Sequence, residues 1–147
     1  MKLWLLRHGE AQRFAAQDSL RELTDQGRQE VLDSAGHLQG RPLEAILASP
    51  YVRARQTAEL VAQVLSFSGV VEIQPWLTPE SDPLEALTQL SRRSEGELLV
   101  VTHQPFVGSL AGLLLDGHRQ SPVPMRTGAL LGLQGDYLLA GGMELLD

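Results

Sequence analysis

The tetrapeptide Arg7-His8-Gly9-Glu10 follows directly on the apolar run Leu3-Trp4-Leu5-Leu6. A guanidinium beside an imidazole suits anion chemistry. The first offers a planar fork of donors, and the second serves as nucleophile, base or donor according to its protonation. Gly9 removes a side chain at this point, which lets the backbone turn sharply or bring its N–H close to an anion. Two later segments are built alike: Ser49-Pro50 leading to Arg53 after Ala45-Ile46-Leu47-Ala48, and Thr102-His103 after Leu98-Leu99-Val100-Val101. Each taken alone reads equally well as a solvated turn. If the three apolar runs are neighbouring strands, two histidines and two arginines meet at one sheet edge. Such a set suits a phosphoryl group, whose oxygens need several charge-assisted donors. No acidic metal-binding cluster accompanies them in the sequence.

The elements that must position these residues follow from periodicity, which predicts strands over 2–6, 45–48, 70–73 and 98–101. Helices are predicted from Thr24 or Asp25 to about Gln39, after Ser49-Pro50, from Asp82-Pro83 onward, and over 106–115. Asp82 is the expected cap of the third helix, with Pro83 at its first position and Glu85 three residues after the cap. The expected inner faces are Val31, Leu32, Ala35 and Leu38, then Leu60, Val61, Val64 and Leu65, then Leu84, Leu87 and Leu90. The segment from Gln12 to Glu22 reads as a loop. Residues 130–133 and 137–140 flank Gln134-Gly135-Asp136 as a closing hairpin. Strands alternating with helices predict an α/β fold, a three-layer α/β/α sandwich with a mostly parallel central sheet. Ligands of such sheets bind outside the carboxyl ends of the strands. No repeat or linker interrupts the pattern, so residues 1–147 are expected to form a single domain.

At 43% hydrophobic residues the chain can bury one proper core. Its net charge of −6 argues against sequence-independent binding to nucleic acid or to an anionic membrane, which needs clustered basic surface. Lys2 is the single lysine and the other eleven basic residues are arginine. Genome composition explains that bias as readily as function does, so the position of each arginine is the stronger signal. The absence of cysteine excludes disulfides, thiolate catalysis and cysteine-ligated metal centres. The apolar run before Arg7 is too short for a secretory core, and no later run reaches membrane-spanning length, so a cytoplasmic protein is expected.

Arg7-His8-Gly9-Glu10, the run Ser49-Pro50-Tyr51-Val52-Arg53-Ala54-Arg55-Gln56-Thr57 and Thr102-His103, in that order, resemble the histidine phosphatase superfamily, also called phosphoglycerate mutase-like. Asp18-Ser19 with Arg21-Glu22-Leu23-Thr24, Leu77-Thr78-Pro79 and His103-Gln104-Pro105 are most similar to the SixA-type protein phosphohistidine phosphatases. The resemblance implies a phosphoglycerate mutase-like fold with His8 as the nucleophile, becoming a transient phosphohistidine. It implies Arg7, Arg53 and His103 as clamps on the phosphoryl oxygens, with hydrolysis by water and no metal or other cofactor. Phosphomonoesterases of the superfamily use a glutamate after the third strand as proton donor. Glu80 is the candidate here, the other reading being a solvated loop residue, and SixA-type sequences do not require a glutamate at that place. A neutral His8 and a protonated His103 fit these roles, because flanking guanidinium charges lower the pKa of His8 and a protonated imidazole donates from both nitrogens.

Gly9 and Ser19 are further candidates for phosphoryl contact; Asp18 and Ser19 read either as the pocket mouth or as turn residues. His37 and His118 read as surface residues, Trp4 as core, and Arg55 as a surface partner of Glu59. Glu10 extends the first motif or makes a helix or loop contact, and Thr127-Gly128 is left open. The expected function is removal of phosphate from phosphohistidine on a protein, because the chain lacks the insertions with which larger relatives enclose small metabolites. The alternatives are a phosphatase for a small phosphomonoester and a non-catalytic phosphate-binding domain.

Overall fold

In the computed structural model, which describes residues 1–146, the apolar runs become adjacent strands of one sheet. The strands are β1 (Lys2–Arg7), β2 (Ala45–Ala48), β3 (Glu72–Ile73), β4 (Glu97–Thr102), β5 (Leu130–Gln134) and β6 (Glu144–Leu145), in the order β3-β2-β4-β1-β5-β6. The first four in that order are parallel; β5 is antiparallel to β1, and β6 to β5. All six residues of β4 are buried, as continuous apolar runs are at the centre of a parallel sheet.

Four helices cover the two faces: α1 (Asp25–Gly36), α2 (Val52–Leu65), α3 (Pro83–Ser91) and α4 (Phe106–Asp116). Alternate side chains of each strand go to opposite faces. Leu6, Ile46, Ala48, Leu99 and Val101 therefore pack with α1 and α2, while Leu3, Leu5, Leu47, Leu98 and Val100 pack with α3 and α4. Among the described residues no helix is long and apolar enough to cross a membrane.

Thr24 caps α1 by accepting the Gly27 N–H at 2.9 Å, and Asp82 caps α3 by accepting from Leu84 at 2.9 Å. Val31, Ala35, Leu38, Val61 and Leu90 are buried as expected, and the rest of the helix faces differ from the expected ones. In α1 the face is Gly27, Val31 and Ala35, continued by Leu38, and Leu32 is exposed. The helix turns its glycine to the sheet side because any Cβ there would overlap the Glu10 backbone. In α2 the buried set is Arg53, Ala54, Thr57, Ala58 and Val61, with Leu60, Val64 and Leu65 only half-buried, so small residues admit Arg53 to the interior. In α3 it is Pro83, Ala86 and Leu90, while Leu84 stands out to solvent.

The third strand is reduced to Glu72–Ile73 at the sheet edge, and Val70 is exposed. Residues 137–140 form no strand. The chain there docks on α4 instead, with Gly141 N–H donating to the Leu113 carbonyl and Met143 N–H to that of Leu114. β6 starts only beyond this detour.

Candidate active site

β4 lies between β1 and β2, so the three carboxyl ends come level: Arg7 pairs with Thr102 across β1 and β4, and Ala48 with Val101 across β2 and β4. His8 N–H donates to the Thr102 carbonyl at 3.0 Å, and Ser49 N–H to that of Val101 at 3.1 Å. Arg53 enters from the first turn of α2. Its Nε donates to His8 Nε2 at 3.3 Å, and the His8 and His103 rings meet in a T-shape with centroids 5.0 Å apart. His8, Arg53 and His103 are 6%, 4% and 1% exposed.

His8 Nδ1 is 2.7 Å from the Gly9 carbonyl. A carbonyl only accepts, so the proton is on Nδ1 and the lone pair on Nε2, where Arg53 donates. Burial, reinforced by the charges of Arg53, Arg7 and Arg21 and opposed by the Gly9 hydrogen bond, lowers the His8 pKa to about 4. Burial together with His8, Arg53, Arg7 and Arg21 lowers His103 further, to about 2. The expectation of a protonated His103 therefore fails for the protein itself, since burial disfavours the charged ring and the Arg53, Arg7 and Arg21 charges add to that. His103 Nε2 is 2.7 Å from Ser49 Oγ; its Nδ1 is buried without a partner among the described residues, and so is Arg7 Nε. The rest of the Arg7 guanidinium is anchored by NH1 donating to the Met125 carbonyl at 2.9 Å.

The 12–22 loop closes at its base through the Gln12 N–H donating to the Glu22 carbonyl and an Ala11–Leu23 bridge. Its short helical turn, Asp18–Leu20, hangs on Arg53. The Asp18 carbonyl accepts from NH1 at 2.7 Å, and its carboxylate accepts from NH2 at 3.2 Å and from Arg21 Nε at 2.9 Å. Against the cost of its partial desolvation, the Arg21 and Arg53 hydrogen bonds and charges hold the Asp18 carboxyl below its ordinary range. Asp18 thus borders the site, whereas Ser19, half-buried beside it, makes no hydrogen bond to a pocket group among the described residues.

Gly9 serves differently from the expectation. Its N–H donates to Thr57 Oγ1 at 3.2 Å and is not free for an anion; the close approach that needs a glycine is to the Gly27 carbonyl of α1. Glu80 is exposed just beyond Leu77, whose carbonyl accepts from Thr102 Oγ1 at 2.6 Å, and it makes no hydrogen bond to the pocket among the described residues. Glu10 makes a local contact, accepting from Thr24 Oγ1 at 2.9 Å. Gly128 supports the site by donating its N–H to the carbonyls of Arg7 and His8. Arg55 forms no ion pair with Glu59 among the described residues.

Sequence reasoning quoted Tyr51, Thr57 and Arg21 within the motifs without giving them a role at the site, and it missed the Met125 carbonyl. Tyr51 packs edge-on against His103 at 4.9 Å and lies beneath the Arg53 guanidinium at 5.0 Å. Thr57, one helical turn after Arg53, was signalled by that spacing. Met125 carries no signal, because only its backbone acts. Among the described residues no group of three His, Cys, Asp or Glu side chains is placed to hold a metal ion.

Comparison with known proteins finds a match of residues 3–77 to the family model of the histidine phosphatase superfamily (branch 1). The chain is 35% identical over 144 residues to phosphohistidine phosphatase SixA of Escherichia coli (strain K12), covering 92% of this chain and 86% of that protein. It is 32% identical over 126 residues to the phosphohistidine phosphatase SixA homolog of Haemophilus influenzae, covering 78% and 77%. The structure of the protein histidine phosphatase SixA complexed with tungstate superposes with a TM-score of 0.89 at 32% identity, covering 100% of this chain and 95% of that one.

Proposed function

The chain belongs to the histidine phosphatase superfamily, and from that premise we propose that it hydrolyses phosphohistidine on a protein, with residues 1–147 acting as one catalytic domain in the cytoplasm. The observation that carries the reading is the pairing of a neutral, nucleophilic His8 Nε2 with two buried, unpartnered nitrogens, Arg7 Nε and His103 Nδ1. Buried polar atoms without partners are rare, and phosphoryl oxygens would satisfy these two. The names of the SixA relatives, and the tungstate complex of one of them, favour the same substrate class.

In this reading His8 Nε2 attacks phosphorus in line, forming a P–N bond as the bond to the substrate imidazole breaks. The leaving imidazole departs with the bonding pair, taking a proton from solvent water as the P–N bond breaks. Arg7, Arg53 and His103 hold the phosphoryl oxygens and stabilise the charge they carry in the transition state. The incoming dianion opposes the guanidinium charges and raises both histidine pKa values. Water then attacks the phosphorus of phospho-His8, the P–N bond breaks, and inorganic phosphate leaves with His8 restored. An imidazole is a better leaving group than an alkoxide once protonated, so Glu80 is dispensable for this substrate and required only for monoesters.

Phosphate release from a histidine-phosphorylated protein and from a panel of small phosphomonoesters, compared side by side with chelator present, tests the proposal. Efficient release from the protein, abolished in His8→Ala, is expected. Preference for one monoester, with loss in Glu80→Gln, would move the function to small-molecule metabolism; retained turnover in His8→Ala would overturn the mechanism.

A further inference from the structure

The hydrogen bond between His103 Nε2 and Ser49 Oγ joins two buried side chains, and proton counting decides which of them donates. Ser49 Oγ already accepts the Tyr51 N–H at 3.2 Å. Its own hydroxyl proton has a single acceptor among the described residues, the His103 ring nitrogen at 2.7 Å. Were Nε2 to carry the ring proton, the serine O–H would be buried without an acceptor, and Nδ1 would be a buried lone pair without a donor. Both omissions are costly in an interior. With the serine donating, the hydroxyl proton has its acceptor and one group instead of two is left unpaired: the ring N–H on Nδ1, the nitrogen that has no protein partner among the described residues.

We propose that Ser49 is a positioning residue, whose hydroxyl locks His103 as the Nδ1–H tautomer and so supplies the pocket with a neutral N–H donor for a phosphoryl oxygen. Tyr51 contributes as well, since its backbone N–H orients the serine oxygen and its ring packs in a T-shape with His103. One five-residue segment, Ser49–Arg53, thereby delivers Arg53 and sets the tautomer of the histidine facing it. A neutral donor has a consequence for turnover. It binds the oxygens by a hydrogen bond rather than by a full charge, which holds product phosphate less tightly than an imidazolium would. The use made of the N–H rests on the phosphoryl-binding reading above; the tautomer itself does not.

Long-range proton–nitrogen NMR of uniformly labelled protein at neutral pH reads the tautomer directly, with His103→Gln used for assignment. A His103 signal of the Nδ1–H form is expected, converting toward the Nε2–H form in Ser49→Ala while His8 keeps its proton on Nδ1. Ser49→Thr, which retains the hydroxyl, restores the Nδ1–H form; if its extra methyl prevents folding, Ser49→Ala decides alone. In turnover Ser49→Ala lowers kcat by about tenfold with a smaller change in KM, the size of one lost buried hydrogen bond. A proton on Nε2 in the native protein, or an unchanged tautomer in Ser49→Ala, overturns the proposal. A tautomer that switches as stated in a protein that releases phosphate from no substrate would instead refute the hydrolase reading and leave this assignment standing.

Discussion

Acid should unfold this protein through its site before it unfolds it through its carboxylates. Both pocket histidines have folded-state pKa values far below the ordinary 6.5, about 4 for His8 and about 2 for His103, with burial the first cause in each case. The unfolded chain therefore takes up each proton first. Stability is full above the ordinary value and falls as the pH drops toward the folded values. For a histidine that stays neutral in the fold, lowering the pH from about 7.5 to about 5 removes about 2 kcal/mol, so the pair removes about 4 kcal/mol. That is a large share of a typical domain's ~5–15 kcal/mol. Asp18, Glu95 and Glu97 are shifted below their ordinary values of 3.8, 4.5 and 4.5, so their contribution is lost only at lower pH.

Urea unfolding followed by circular dichroism across that range, in buffer free of phosphate because a bound anion would stabilise the native state, measures the loss. His103→Gln should retain about half of the wild-type dependence, roughly 2 kcal/mol, because one of the two protons is gone. A wild-type stability that is flat over this window, or a His103→Gln variant with the full wild-type slope, would refute the claim that the site holds both rings neutral.

Two further substitutions separate the site from the scaffold. Gly9→Ala drives a methyl into the Gly27 carbonyl and to 3.0 Å from Val31 Cγ2. It should destabilise by about 1–3 kcal/mol, seen as a lowered Tm, and lose activity because the Gly9 carbonyl that orients His8 is displaced. Glu97 is buried at the other end of β4, accepting from Trp4 Nε1 at 2.9 Å and from Arg41 Nε at 2.7 Å. Glu97→Gln should lower stability by about 1–2 kcal/mol in urea unfolding while leaving kcat unchanged, since it weakens a half-buried ion pair remote from the pocket.

What was legible in the sequence follows from how local each cause is. β2 and β4 were readable because a continuous apolar run has one stable place, a strand covered on both faces, and the polar residues at their ends were readable because they interrupt that run abruptly. The helix faces were readable only in part: Val31, Ala35, Leu38, Val61 and Leu90 are buried as expected, but the rest of a face is chosen by the fit of the helix against its neighbour, and α3 buries Pro83 and Ala86 and leaves the larger Leu84 outside. The closing hairpin failed for the same reason. Residues 137–140 look like a strand, yet the carbonyls at the end of α4 claim the next N–H groups before β5 can. The neutral state of His103 was out of reach, because it depends on burial and on groups contributed from three separate segments of the chain.

The pocket also explains how a chain of net charge −6 keeps an electropositive centre. Buried cationic donors must be satisfied, and carboxylates would satisfy them only by cancelling the charge that a phosphoryl group needs. Here backbone carbonyls supply most of the acceptors: Met125 for Arg7 NH1, Asp18 for Arg53 NH1, and Gly9 for His8 Nδ1. A carbonyl accepts a hydrogen bond without carrying a formal charge, so it leaves the guanidinium charge in place where His8 and His103 feel it. The carboxylate hydrogen-bonded to this cluster, that of Asp18, sits on a loop and is 58% exposed, where solvent screens it. The guanidinium fields that attract a dianion also deepen the histidine pKa depressions that burial begins, so the affinity of the site for phosphate and part of the acid sensitivity of the fold share one physical cause.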